Sequence, residues 1–176
     1  MTLPDVINTD RLELVLFTKA HMELLIGRGP ATELPFDVPN GWAQEEGWLL
    51  GLRVGQIDKN PAEAPWLLRA ILWAGGSRQM IGHAGFHAGP DEKGRVEIGY
   101  SVFPEHRRRG VAEEAATTML RQASRDPRVE AFRASVSPRN EPSLALVRKL
   151  GFVQTGVQWD ELDGEELVFE RPAPFA

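Results

Sequence analysis

The sequence predicts an α/β (α+β) fold in which one mixed, mostly antiparallel sheet of about seven strands is flanked by about four helices. Three observations predict it. Short apolar runs punctuated by Gly, Pro and Asp recur through the middle of the chain, an apolar stripe at helical period follows Gly110, and strand-like and helix-like segments alternate beyond it.

Arg11-Leu-Glu-Leu-Val-Leu16 alternates as a first strand, and Thr18 can N-cap a helix reaching Gly27. Gly27 to Gly41 reads as a loop because Gly29-Pro30, Pro35 and Pro39 break helical pairing, whereas Trp42 to Ile57 returns to an amphipathic helical pattern. Trp66 to Ala74, Gln79 to His87 and Arg95 to Phe103 are strand-like. Their connections, Gly75-Gly76 and Gly89-Pro-Asp-Glu-Lys-Gly94, are short enough for an antiparallel meander.

Val111, Ala112, Ala115, Ala116, Met119, Leu120 and Ala123 then form one stripe on a helix. Ala131 to Ser137 reads as a strand and Pro142 to Leu150 as a helix with proline in its first turn and Gly151 as its stop. Phe152 to Trp159 and Glu166 to Arg171 predict a hairpin around Asp163-Gly164.

The 176 residues fit one domain spanning 1–176, and no fixed-period repeat divides them. With 25 acidic against 20 basic side chains, the net charge of −5 argues against a general nucleic-acid binder and favours an amine or cationic partner. The chain has no cysteine, so a thiolate nucleophile, a disulfide framework and a Cys-based zinc site are excluded. No basic and apolar leader opens it and no run of about 18 apolar residues occurs, so a cytoplasmic protein without a membrane segment is expected.

Between the strand ending near Phe103 and the helix after Gly110 lies Arg107-Arg108-Arg109-Gly110-Val111-Ala112. A helix start leaves its first N–H groups unpaired and partially positive, which suits a pyrophosphate, and Gly110 and Ala112 keep bulk away. The competing reading of the arginines is a solvated surface turn.

Arg107-x-x-Gly110-x-Ala112 resembles the acetyl-CoA pyrophosphate signature of the GNAT superfamily of acetyltransferases. Glu97-Ile-Gly-Tyr-Ser-Val102, Glu113-Glu114-Ala115, Asn140-Glu-Pro-Ser143 and Lys149-Leu-Gly-Phe152 follow the family's order and spacing. Thr9-Asp10-Arg11-Leu12 resembles the branch that acetylates ribosomal-protein N-termini.

The resemblance implies acetyl-CoA as co-substrate, with the backbone of Tyr100, Ser101 and Val102 on the pantetheine and thioester. Arg107, or Arg108 to Glu113 including Arg109, Gly110, Val111 and Ala112, would hold the pyrophosphate, and Asn140 and Ser143 the pantetheine arm. It also implies that the strands ending near Val102 and Ser137 splay apart. The acceptor would be a primary amine, either a protein N-terminus or a small molecule, and the protein itself is expected as a monomer or homodimer. A non-catalytic acyl-CoA-binding module is the alternative.

Acyl transfer to an amine needs a base, oxyanion donors and a proton for the thiolate, and no metal. By the resemblance, the Val102 N–H is the oxyanion donor. Glu97 shares strand parity with Gly99 and Ser101 and is the candidate base, with a solvent-facing strand glutamate as the other reading. The family's frequent tyrosine seven residues after the asparagine is Val147 here, and its glutamate five residues before it is Ser135. Ser143 is then a candidate acid or an ordinary first-turn serine, and Tyr100, the single tyrosine, reads mainly as packed. His83 and His87 share a strand face without a third ligand and read as ordinary strand histidines.

Overall fold

The computed structural model describes residues 3–30, 32–161 and 164–175. Its single sheet is built from β1 (Val6–Asn8), β2 (Leu12–Leu16), β3 (Arg69–Trp73), β4 (Met80–Phe86), β5 (Arg95–Val102), β6 (Ala131–Val136), β7 (Val153–Asp160) and β8 (Gly164–Pro172). The spatial order is β1-β2-β3-β4-β5-β6-β8-β7. Every neighbouring pair is antiparallel except β5 and β6.

The expected strands are present, with β1 added at the edge. Three residues are too few to register a period of two in sequence, and β1 exists through its pairing of Val6, Ile7 and Asn8 with Val15, Leu14 and Glu13. Trp66 is not in a strand as expected. Pro61 and Pro65 preset φ for a 3-10 helix over Pro61–Trp66, capped by the Asn60 side chain, and β3 starts only at Arg69. Asp163 of the expected hairpin turn lies outside the described residues, while Gly164 takes φ +77.

Helix α1 (Lys19–Leu25) has the expected Thr18 cap, which accepts from the His21 N–H while the His21 ring accepts from Thr18 N–H. The expected 42–57 helix is instead two, α2 (Trp42–Glu45) and α3 (Gly47–Lys59), separated where Glu46 leaves helical geometry ahead of Gly47. Helices α4 (Val111–Ala123) and α5 (Glu141–Lys149) complete the set.

Strand alternation distributes the core to both faces of the sheet. Ile71, Ile81, Ile98 and Phe132 pack with Ala115, Ala116, Met119 and Leu120 of α4 and Leu144 of α5. Ala70 and Leu72, which flank Ile71, point the other way and pack with Met22 of α1 and Leu50, Val54 and Ile57 of α3. Helices therefore pack on both sides of the sheet, α4 and α5 on one and α1 and α3 on the other. Among the described residues no helix is long and apolar enough to cross a membrane.

Candidate active site

Strands β5 and β6 pair in parallel at Arg95–Ala131, Val96–Phe132 and Glu97–Arg133, and there the pairing stops, although β5 continues to Val102 and β6 to Val136. The expected splay is thus present. The Phe103 N–H donates to Ile81 and the Glu97 carbonyl accepts from His87, so these amides face β4. With a period of two, the Tyr100 and Val102 amides face the opened side. Unpaired sheet amides need a partner, and a ligand in the gap can supply it.

A turn with unusual backbone geometry follows. Arg108 is the only described non-glycine residue at positive φ (+57), and Gly110 at φ +77 is the N-cap of α4. No N–H from Arg108 to Glu113 donates to an acceptor among the described residues. The turn is held from behind: Glu114 accepts from Arg11 Nε at 2.7 Å, from the Arg11 backbone at 3.1 Å and from the Thr9 hydroxyl at 2.5 Å. Arg11 Nη1 in turn donates to the Arg109 carbonyl at 3.1 Å. Burial alone would raise the Glu114 pKa, but the hydrogen bonds from Thr9 and Arg11 outweigh it and lower it.

The splay and the turn open onto one cleft of about 520 Å³, within the size range of small-molecule sites. Tyr100, Ser101, Val102, Arg107, Arg108, Gly110, Val111, Ala112, Glu113, Asn140 and Ser143 all line it. Arg109 and Glu97 do not. Arg107 Nε donates to the Val102 carbonyl at 2.8 Å, so this arginine ties the strand end to the turn. Arg108 lines the cleft with no ion pair among the described residues, whereas Glu113 is bound by Lys149 at 2.7 Å. His106, Pro142 and Leu146 also line the cleft. No short motif singles them out in sequence; they follow from the course of the chain around the opening.

At the α5 end, the Asn140 side chain caps the helix by accepting from the Ser143 N–H at 3.2 Å. The Tyr100 hydroxyl is buried and lacks a close hydrogen-bond acceptor or donor, and the hydroxyl of Ser143 is the polar side chain acting on it. Burial raises the phenol pKa and Ser143 partly offsets it, so both hydroxyls stay protonated at neutral pH. Val147 is 1% exposed within the core, away from the cleft lining, and the Ser135 hydroxyl is taken by Gln158 at 3.0 Å.

A second, smaller hollow of about 110 Å³ lies on the α3 side of β5, and Tyr100 is the residue it shares with the cleft. His83 and His87 both line it. Glu97 stands beside it, 3.8 Å from His87 Nδ1 and 3.4 Å from Arg133 Nε. A Cβ on Gly99 would lie 3.0 Å from His87 Nε2, so the absent side chain lets the imidazole lie against β5. Burial and then the charge of Arg53 depress the His83 pKa to about 4. Half of the His87 side chain is accessible to solvent, yet the protein around it still lowers its pKa, with Glu97 opposing. Both rings are neutral at pH 7. Among the described residues no cluster of His, Cys, Asp or Glu could hold a metal ion.

Residues 11–153 match the family described as Acetyltransferase (GNAT) domain. A curated relative, the uncharacterized N-acetyltransferase YoaA of Bacillus subtilis strain 168, is 35% identical over 92 residues, covering 51% of this chain and 52% of that protein. The match thus spans about half the length of that relative. Among solved structures, the microcin C7 self immunity acetyltransferase MccE, in complex with acetyl-CoA and AMP, superposes with TM-score 0.68 at 15% identity over 98% of both chains. RimL, a ribosomal L7/L12 alpha-N-protein acetyltransferase, gives TM-score 0.67 at 14% identity over 98% of this chain and 100% of its own. At those identities the two structures speak for the fold.

Proposed function

The chain belongs to the GNAT acetyltransferase family, and from that premise we propose that it transfers the acetyl group of acetyl-CoA directly to a primary amine. The observation that carries this reading is the unbonded backbone from Arg108 to Glu113 opening onto the gap between β5 and β6. That donor array, with the Arg108 side chain that no described carboxylate pairs, fits a diphosphate. The Tyr100 and Val102 amides, with Ser101, Asn140 and Ser143, line the remaining length and fit an amide-bearing arm such as pantetheine. Gly110, Val111 and Ala112 contribute backbone to the diphosphate end, where Arg107 and Arg109 shape the turn.

Acetyl-CoA supplies an activated acyl thioester, so the protein has protons to move and charge to stabilise. The Val102 N–H is directed to donate to a developing oxyanion at the strand end. Glu97 and His87 form the basic side: His87 presents a neutral imidazole to the hollow, and Glu97 faces its Nδ1. Ser143, with the Tyr100 phenol beside it, holds the proton available to the departing sulfur. An α-amine, with pKa about 8 against about 10.4 for lysine, asks least of such a base. RimL's action on a protein α-amine makes peptide N-termini the first acceptors to try, beside small-molecule amines.

The test is to mix the protein with acetyl-CoA and a panel of peptides, amino acids, polyamines and amino sugars while following free CoA thiol. Amine-dependent thiol release is expected for at least one class. The competing reading, a non-catalytic acyl-CoA-binding module, draws on the buried Val147 where the family places a tyrosine. It predicts thermal stabilisation by CoA with no thiol release for any amine.

A further inference from the structure

Arg53 occupies an inward position of α3, in line with the apolar residues Leu50, Val54 and Ile57, and is 8% exposed. Its Nη1 donates to Gln56 Oε1 at 2.7 Å and to the His87 carbonyl at 2.8 Å, and Gln56 Nε2 donates to that same carbonyl at 2.8 Å. All of its hydrogen bonds to described residues leave from that one nitrogen. Among the described residues Nε is buried without a partner, Nη2 makes no bond, and no carboxylate forms an ion pair with the guanidinium. Burial lowers the Arg53 pKa, yet a guanidinium keeps its proton at neutral pH.

Nη2 belongs to a residue lining the 110 Å³ hollow. At neutral pH Arg53 is the one charged residue of that lining, since His83 and His87 are neutral and Tyr100 is protonated. An unpaired buried charge is costly, and proteins normally neutralise it. Arg69, fully buried, likewise leaves Nε without a partner, but it uses both Nη1 and Nη2 on the Pro4, Asp5 and Pro65 carbonyls, and neither opening reaches it. Arg53 differs in leaving Nη2 without a bond among the described residues, on a side chain that lines a space large enough for a carboxylate.

We propose that the acceptor amine carries a carboxylate, which the Arg53 guanidinium takes through Nη2 in the hollow while the amine lies toward His87 and Tyr100. This rests on the acetyl-transfer reading above. It narrows the acceptor to a free amino acid or a peptide whose first residue is acidic, and charge-assisted pairing favours either over its uncharged amide by about ten- to a hundredfold.

The experiment compares matched acceptors at saturating acetyl-CoA: free amino acids against their amides, and peptides beginning with Asp or Glu against those beginning with Asn or Gln. Wild type, Arg53→Lys and Arg53→Gln are assayed for kcat/KM. The wild type should prefer the carboxylate in one series, which identifies its source, and in Arg53→Gln that ratio should fall to near one, with Arg53→Lys between them. Unfolding midpoints and CoA binding check that each variant is folded. Equal turnover of matched acceptors, or a ratio unchanged by Arg53→Gln, overturns the proposal. Binding of the same acceptors in the presence of CoA, read by calorimetry, separates the two levels. Carboxylate-selective, Arg53-dependent binding without thiol release sinks acetyl transfer and upholds the anion site, whereas the absence of selective binding overturns the site itself.

Discussion

Arg11 and Glu114, distant in sequence, meet at the base of the turn: Nε and Nη2 of the arginine lie 2.7 and 2.6 Å from one carboxylate oxygen, while the other oxygen takes the Arg11 backbone and the Thr9 hydroxyl. The pair fixes the start of α4 to the entrance of β2 and leaves the amides on the far side of the turn unbonded. A ligand that needs those amides therefore depends on a contact it never touches.

Arg11→Ala should weaken CoA binding severalfold and cost about 1 kcal/mol of stability, a modest figure because the arginine side chain is half-exposed and screened. Arg11→Lys should recover only part of the affinity, since an ammonium cannot reach both the carboxylate and the Arg109 carbonyl in the same way. Calorimetric CoA titration and urea unfolding measure the two effects.

Gly110→Ala should be worse for binding than its size suggests. The residue sits at φ +77, where a Cβ costs about 1 kcal/mol, and the new methyl would stand 3.2 Å from Arg11 Nη2. A lower unfolding midpoint together with a raised KM for acetyl-CoA is expected.

Acid should destabilise the protein through two carboxylates. Asp126, just after α4, accepts from the Arg128 backbone at 3.0 Å and from its Nη2 at 2.8 Å; these bonds hold its pKa well below the carboxylate range, as those from Thr9 and Arg11 lower Glu114. Both folded pKa values lie below their unfolded ones, so the stabilisation is complete only above about pH 5 and is lost as pH falls through the unfolded and then the folded values. Asp126→Asn should flatten that acid limb in unfolding measurements at a series of pH values.

For the proposed chemistry, His87→Gln should lower kcat by about a hundredfold while CoA binding is kept. Because the His87 pKa is lowered in the folded protein, the acid limb of kcat/KM for the amine should fall below the ordinary histidine value. Ser143→Ala and Tyr100→Phe, assayed singly and together, will apportion the proton donor: non-additive losses are expected if the two hydroxyls act as one unit.

Val147→Tyr should destabilise the protein by about 1–3 kcal/mol and fail to raise kcat. The position is closed in the core and the added ring has no space to enter the cleft. Unfolding and steady-state assays of this variant provide the check.

The sequence by itself determined the features that depend on neighbours along the chain. The apolar spacing from Val111 to Ala123 required α4 and Thr18 offered a cap, so the turn proposed to bind the diphosphate was readable from residues 107–113. Tertiary structure decided what depends on distant partners. Arg107 turned to the Val102 carbonyl and Arg109 lies outside the cleft lining, a division that three adjacent arginines do not encode. Glu97 was placed against His87 and Arg133 by the last paired residues of β5 and β6. His83 and His87 became the wall of a hollow only because α3 brings Arg53 against that face of the sheet. Local periodicity specifies which face a side chain takes; which groups meet across that face, and which charge is left without a partner, follows from how the helices pack on the sheet.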